Sequence, residues 1–248
     1  MVVEYSTTSY PSRSSTLKAV LVGDSGVGKT TAWLSFERGY YHPKPWCDIK
    51  KDTVKRPLSD ALAAAAGFST SGASVQLWDT ASQERFLGAD MSRCYYRGAS
   101  IVLVCYRVDS YSSYESATGR WLADVCKHFT GGEEVVACLV GLRSDLDESR
   151  EVSTAEARWC AEEECGLMFA EVSSKAALHG EPGSLEHLID ICARQVLQHG
   201  DDARGRPPFG ETRRFRPTMP KKGEVRIPAA VGGFPSKTTV GSGYCCVS

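Results

Sequence analysis

The run Gly23-Asp24-Ser25-Gly26-Val27-Gly28-Lys29-Thr30 constrains this chain more than any other stretch. It follows an apolar run at 19–22 that reads as a buried strand. It leads into Thr31-Ala32-Trp33-Leu34-Ser35-Phe36, which continues as helix. A strand, a glycine-rich loop and a helix in that order form a grip for a polyphosphate. Backbone N–H groups must converge on the anion, so the loop has to bend tightly without Cβ atoms in the way; Gly23, Gly26 and Gly28 permit that. The helix points its positive end at the phosphates. The ammonium of Lys29 can reach the terminal phosphates, and the hydroxyl of Thr30 stands where Mg²⁺, a hard cation, takes an oxygen ligand. A glycine turn with a chance Lys-Thr behind it is the bland alternative. The full spacing in strand–loop–helix context argues against it.

The rest of the chain supplies a sheet for such a loop. Strands are expected at 17–22, 53–54, 75–78, 100–106, 135–140 and 167–171, with Pro57 limiting the second. Helices are expected at 30–38, closed by Gly39, and at 113–129. Another opens on the Ser153-Thr154-Ala155-Glu156 capping box and ends at Gly166. A last helix carries Leu185, Leu188, Ile189, Cys192 and Val196 on one face. The stretch 59–74, with four consecutive alanines, fits either a short helix or a loose connection. Strands alternating with helices predict an α/β fold, a doubly wound, mostly parallel six-stranded sheet in a single domain with disordered ends. The expected segments are a disordered 1–16, a domain at 17–198 and a flexible tail at 199–248. Ligands of such sheets sit at the carboxyl ends of the strands, and every motif here falls at such an end.

Charge and cysteine usage narrow the setting. The net charge of −1 divides unevenly: from His199 onward there are nine Lys/Arg against four Asp/Glu, so the tail is +5 and the body −6. A basic tail on an acidic body assigns any anionic surface to the tail. Residues 1–15 are polar and Ser/Thr-rich, unlike a secretory signal. Of the ten cysteines, Cys105, Cys126, Cys138 and Cys192 sit in apolar patterns, where a reduced thiol acts as a small hydrophobe. No CxxC or Cys/His pair has metal spacing, so a zinc site is not expected. No apolar run approaches membrane-spanning length. His42, His128, His179, His187 and His199 form no cluster.

A second motif, Trp78-Asp79-Thr80-Ala81-Ser82-Gln83-Glu84-Arg85-Phe86, begins at the end of a strand. A carboxylate there can hold a nucleotide's Mg²⁺ through water, and an amide a few residues on can orient an attacking water. With this motif the chain resembles a small GTPase of the Ras superfamily, and within it the Rab branch. The first loop matches the form GDSGVGKT, and the second motif is similar to WDTAGQERF. Tyr95-Tyr96-Arg97-Gly98-Ala99 resembles YYRGA, Trp121-Leu122 falls where Rabs carry a WL pair, and Glu171-Val172-Ser173-Ser174-Lys175 resembles ETSAK. The likeness runs from about 17 to 197. It implies a P-loop NTPase fold that binds GTP and GDP with Mg²⁺ and hydrolyses GTP. By resemblance the nucleotide is held by Gly23, Asp24, Ser25, Gly26, Val27, Gly28, Lys29, Thr30, Thr31, Asp79, Ser82, Arg143, Asp145, Ser173, Ser174 and Lys175. The metal falls to Thr30 and Asp79, and Gln83 positions the water.

Four departures stand against the family pattern. Ser82 replaces the DTAGQE glycine, whose N–H contacts the γ-phosphate, and a Cβ there restricts the backbone. The first switch aligns on Cys47-Asp48-Ile49-Lys50 and lacks the Thr that closes on Mg²⁺, with Thr53 as an outside candidate. The guanine-reading NKxD is Leu142-Arg143-Ser144-Asp145: Asp145 can take the two guanine N–H donors and the stem of Arg143 can cover the base, but the Asn that ties the loops is Leu142. The lost polar partner implies weaker guanine affinity, and the connection before Val75 is long. Each departure is either drift around a working pocket or a sign of impaired switching.

The last four residues, Cys245-Cys246-Val247-Ser248, fit both a C-a-a-X box and the double-cysteine ending of Rabs. They follow Arg213, Arg214, Arg216, Lys221 and Lys222 in a Gly/Pro/Ser-rich linker. Two prenyl chains, or one plus the basic cluster, give lasting attachment. The resemblance implies a switch in vesicle traffic at the cytosolic face of an internal membrane with a cytosolic pool. Its partners would be an exchange factor, a GTPase-activating protein, a prenylation escort and effectors; nucleic acid is not expected. A nucleotide-locked or degenerate scaffold with little hydrolysis is the alternative. A P-loop ATPase or kinase is a third reading, disfavoured by Asp145 and Ser173-Ser174-Lys175.

Overall fold

A computed structural model describes residues 15–41, 53–58, 73–80, 95–129, 135–176 and 180–202. Its centre is a six-stranded sheet built from β1 (Ser15–Val22), β2 (Thr53–Pro57), β3 (Ala73–Asp79), β4 (Ile101–Arg107), β5 (Val136–Leu142) and β6 (Met168–Val172). The order is β2-β3-β1-β4-β5-β6, with β2 antiparallel to β3 and all other neighbours parallel.

Side-chain alternation along the strands sorts the core into two layers. Leu17, Ala19 and Leu21 of β1 and Ile101, Leu103 and Cys105 of β4 point to one face. There they meet α1 (Lys29–Arg38) through Ala32, Trp33 and Phe36, and α5 (Leu185–Asp202) through Leu188, Ile189 and Cys192. Val20 and Val22 of β1 and Val102, Val104 and Tyr106 of β4 point to the other. That face is covered by α2 (Tyr111–Ser116), α3 (Leu122–His128) and α4 (Thr154–Trp159), through Tyr114, Val125 and Ala157. A strand covered on both sides has no polar face, which is why β4 reads as an unbroken apolar run.

The boundaries differ from the sequence expectation at several places. Strand β1 begins at Ser15, so residues 15 and 16 belong to the sheet: they pair with Ala73 and Ser74, and the Thr16 and Ser74 hydroxyls lie 3.0 Å apart. Helix α5 continues to Asp202, past the boundary read at 198. Pro57 ends an edge strand, where its missing N–H does no harm. The helix expected at 113–129 is capped by Ser110, whose side chain accepts from the Ser113 N–H, and it changes pitch midway. α2 passes through a π-helical turn (Ala117–Trp121) into α3, where the Leu122 N–H reaches back to the Ala117 carbonyl. A second π turn (Cys160–Glu164) follows α4, ahead of Gly166 at φ 66°. Each π turn holds one residue more than an α turn, and the cap and stop signals at the ends of these helices do not mark where it falls. In the capping box, the Ser153 hydroxyl accepts from the Glu156 N–H at 3.2 Å. Most of the ambiguous stretch at 59–74 lies outside the described residues. Among the described residues no helix is long and apolar enough to cross a membrane.

Candidate functional site

The carboxyl ends of β1, β3, β5 and β6 converge on one edge of the sheet, and each delivers part of the site. The loop after β1 bends at Gly23, with φ 143°. A Cβ there would lie 2.2 Å from the Cys105 carbonyl oxygen on β4, so the loop passes against the neighbouring strand in a way only glycine permits. Helix α1 starts from Gly28 with no side-chain cap and no acidic residue in its first turn. Without a side-chain cap, the helix offers a positive end to an anion. Val27 is buried in the core, while Ser25 and Gly26 are exposed at the apex.

Lys29 is 2% exposed and folds back under the loop. Its Nζ donates to the carbonyls of Gly23 at 2.6 Å and Asp24 at 2.7 Å. These bonds hold the ammonium beneath the loop while satisfying two buried acceptors. Next to it, the Thr30 hydroxyl donates to Asp79 Oδ2 at 2.7 Å. Both residues are buried, and the end of β3 is pinned by Thr80 Oγ1 donating to the Leu21 carbonyl at 2.7 Å. A hydroxyl and a carboxylate side by side are hard oxygen donors of the kind Mg²⁺ accepts. Among the described residues no group of three or more His, Cys, Asp or Glu gathers as for a softer metal. Burial pushes the Cys105 thiol up to about 12, so it stays neutral behind the loop.

The second half of the site is assembled around one hydroxyl. Ser173, after β6 and 3% exposed, donates to Asp145 Oδ1 at 2.6 Å. It also accepts from the N–H groups of Lys175 at 3.2 Å and Ala176 at 2.9 Å. The Ser144 N–H donates to the Val172 carbonyl, tying this loop to the one after β5. Arg143 has φ 63°, an uncommon backbone for a residue with a side chain. Its Nη2 lies 3.5 Å from the Gly26 carbonyl, so the guanidinium spans from the loop after β5 to the loop after β1. Leu142 is 2% exposed and faces the core, its Cδ1 3.7 Å from where a Cβ on Gly28 would stand. An apolar contact thus fills the space where the family pattern has a polar tie.

Residues 23–31, 79, 143, 145 and 173–175 are therefore brought to one edge. Thr53 is committed to β2, paired with Trp78 in the strand ladder rather than placed on a switch loop. Ser82 and Gln83, the first-switch segment Cys47-Asp48-Ile49-Lys50, and Cys245 and Cys246 lie outside the described residues. Sequence reasoning missed what turns the Asp24 side chain away from the loop's interior: its Oδ1 accepts from Trp121 Nε1 at 2.8 Å and Ser116 Oγ at 2.9 Å. It also missed the clamp behind the loop after β5, where Arg150 grips Glu171 bidentately at 2.8 and 3.0 Å. Glu171 was legible only as part of its motif, and Arg150 carried no signal.

A family model described as Ras family matches residues 18–190, which include every one of these converging groups. The chain belongs to the Ras family. Among its relatives, the GTP-binding protein ypt3 of Schizosaccharomyces pombe is 33% identical over 205 residues, covering 82% of this chain and 89% of that protein. The Ras-related protein Rab-2B of Dictyostelium discoideum is 35% identical over 181 residues, 73% of this chain and 80% of the relative. The Ras-related protein RABA5a of Arabidopsis thaliana is 37% identical over 186 residues, 73% and 76%. This Ras-family chain is a Rab-type small GTPase, and the ATPase or kinase reading falls away.

Proposed function

We propose that this Rab-type chain is a GTP-binding, GTP-hydrolysing switch in vesicle traffic, worked by the residues that converge at the sheet edge. The observation that carries the reading is the pairing of two halves. Lys29 and the uncapped start of α1 face phosphate, while Asp145, held by Ser173, presents a carboxylate to a base.

In this reading the amides of the Gly23–Thr31 loop cradle the β- and γ-phosphates, and Lys29 adds its charge from below. The Thr30 hydroxyl and the Asp79 carboxylate hold Mg²⁺, which when bound supplies positive charge against the phosphate oxygens. Asp145 accepts two N–H donors of guanine, a pattern adenine does not offer. Arg143 covers the base with its stem and reaches Gly26 with its guanidinium. The Ser174 and Lys175 backbone lines the far side of the base. Gln83 orients the attacking water. Ser82 restricts the backbone that closes on the γ-phosphate, and the missing first-switch threonine removes a contact to the metal, so turnover is slow. Single-turnover GTP hydrolysis tests this. Gln83→Leu is expected to slow the natural chain's rate at least tenfold, the scale of a lost water-positioning contact. A rate unchanged by that substitution would overturn the catalytic assignment and favour the scaffold.

Cys245 and Cys246 are the prenylation sites, with two lipids or one plus the basic cluster from Arg213 to Lys222, which adds attraction to anionic lipid. The chain thus divides between the cytosolic face of an internal membrane and a cytosolic pool. An exchange factor, a GTPase-activating protein, a prenylation escort and effectors act on it. Replacing both cysteines by serine is expected to move the protein into the soluble fraction of a cell lysate. Retention on membranes by that variant would contradict the lipid anchor.

A further inference from the structure

The phosphate loop contains a carboxylate, that of Asp24, within a segment that must receive a polyanion. Left to itself, a negative side chain there would oppose the ligand. It is instead turned outward and held by two donors from one helix: Trp121 Nε1 at 2.8 Å and Ser116 Oγ at 2.9 Å. Its main chain is held from the opposite side, since the Asp24 carbonyl accepts from Lys29 Nζ at 2.7 Å. Asp24 is thus clamped on both sides, immediately before the exposed apex at Ser25 and Gly26.

Both donors flank the π turn. Ser116 precedes it and Trp121 is its last residue. Each residue of an α-helix turns about 100°, so removing the extra residue of the π turn would rotate Trp121 by that amount relative to Ser116. The wider turn puts the indole N–H and the hydroxyl on the same oxygen. Beside it, Thr118 Oγ1 donates to the Tyr114 carbonyl at 2.9 Å. Trp121 is 4% exposed and the Arg120 guanidinium stacks over its ring at 4.9 Å, so the indole is fixed in place.

We infer that Trp121, assisted by Ser116, is a positioning residue for nucleotide retention: its indole N–H holds the Asp24 carboxylate away from the phosphates and keeps the loop's amides aimed at them. This rests on the guanine-nucleotide reading of the site. The latch acts through Asp24 alone, and that makes it separable from ordinary packing. Loss of the indole N–H should matter only while the carboxylate is present to be held.

The test is a double-mutant cycle on release of a fluorescent GDP analogue from the full chain with Mg²⁺. Trp121→Phe keeps an aromatic ring in the helix and removes the donor. It is expected to speed release about tenfold, the scale of one hydrogen bond to a charged group. In an Asp24→Ala background the same Trp121→Phe change is expected to leave the release rate where Asp24→Ala alone puts it. Gly119→Ala, whose Cβ would meet nothing within 4 Å, is expected to release at the natural rate. Equal acceleration by Trp121→Phe in both backgrounds would mean a packing effect and would overturn the latch while leaving nucleotide binding intact. No acceleration in either background would also overturn it. A natural chain that retains no guanine nucleotide would overturn the functional reading and the latch with it.

Discussion

Lys29→Ala is expected to weaken GDP and GTP binding by about 10²- to 10⁴-fold while leaving the fold intact. Lys29 is among the most deeply buried charged side chains described, and its ammonium donates to two loop carbonyls. Hydrogen bonds to a charged group contribute roughly 1.5–3 kcal/mol each, and losing two that the ammonium would make to phosphate oxygens corresponds to that range of affinity. The effect has two sources that act in the same direction. The phosphates lose a point charge, and the loop loses the post that holds the Gly23 and Asp24 carbonyls inward, so its amides are no longer arranged for an anion. Calorimetric titration with GDP in the presence of Mg²⁺ measures the change, with circular dichroism confirming the fold. Unchanged affinity would show that phosphate binds elsewhere.

Gly23→Ala is expected to destabilise the domain itself, by about 3 kcal/mol or more and a fall in Tm of roughly 6–12 °C. The new Cβ would stand 2.2 Å from the Cys105 carbonyl oxygen, and the backbone already sits at φ 143°. Neither party can yield cheaply. Cys105 belongs to β4, which is paired with β1 on one side and β5 on the other. Gly26→Ala is the control: its φ is 80°, but nothing lies within 4 Å of a Cβ there. Only backbone strain is added, about 1 kcal/mol. Thermal unfolding of the two variants side by side measures the difference. Equal stability would contradict the close approach of the loop to β4.

The parts of this domain that were legible in the sequence are those where local chemistry and global fold impose the same pattern. β4 read as a buried strand because both its faces are covered, and the phosphate loop read as a loop because its glycines and Lys-Thr have few other uses together. Asp79, Asp145 and Ser173 were legible because their motifs sit at strand ends, and the structure places them there. Contacts between motifs were not legible. Nothing in the spacing of Ser116 and Trp121 shows a π turn, and nothing in Asp24 shows that its carboxylate is held by Trp121 and Ser116. Arg150 meets Glu171 across 21 residues, a pairing fixed by how α4 and β6 pack and not by either local sequence. Leu142 stands where the family pattern has a polar residue. In the fold it is a core residue under the phosphate loop, beside an arginine that spans the same gap.

The most direct test of guanine-nucleotide binding at this edge is native mass spectrometry of the full-length protein purified without added nucleotide. The expected spectrum has the protein mass increased by one GDP or GTP together with one Mg²⁺. The increment should be absent from Lys29→Ala. A bound adenine nucleotide, or a natural chain that carries no nucleotide and takes up none when GDP and Mg²⁺ are supplied, would contradict it.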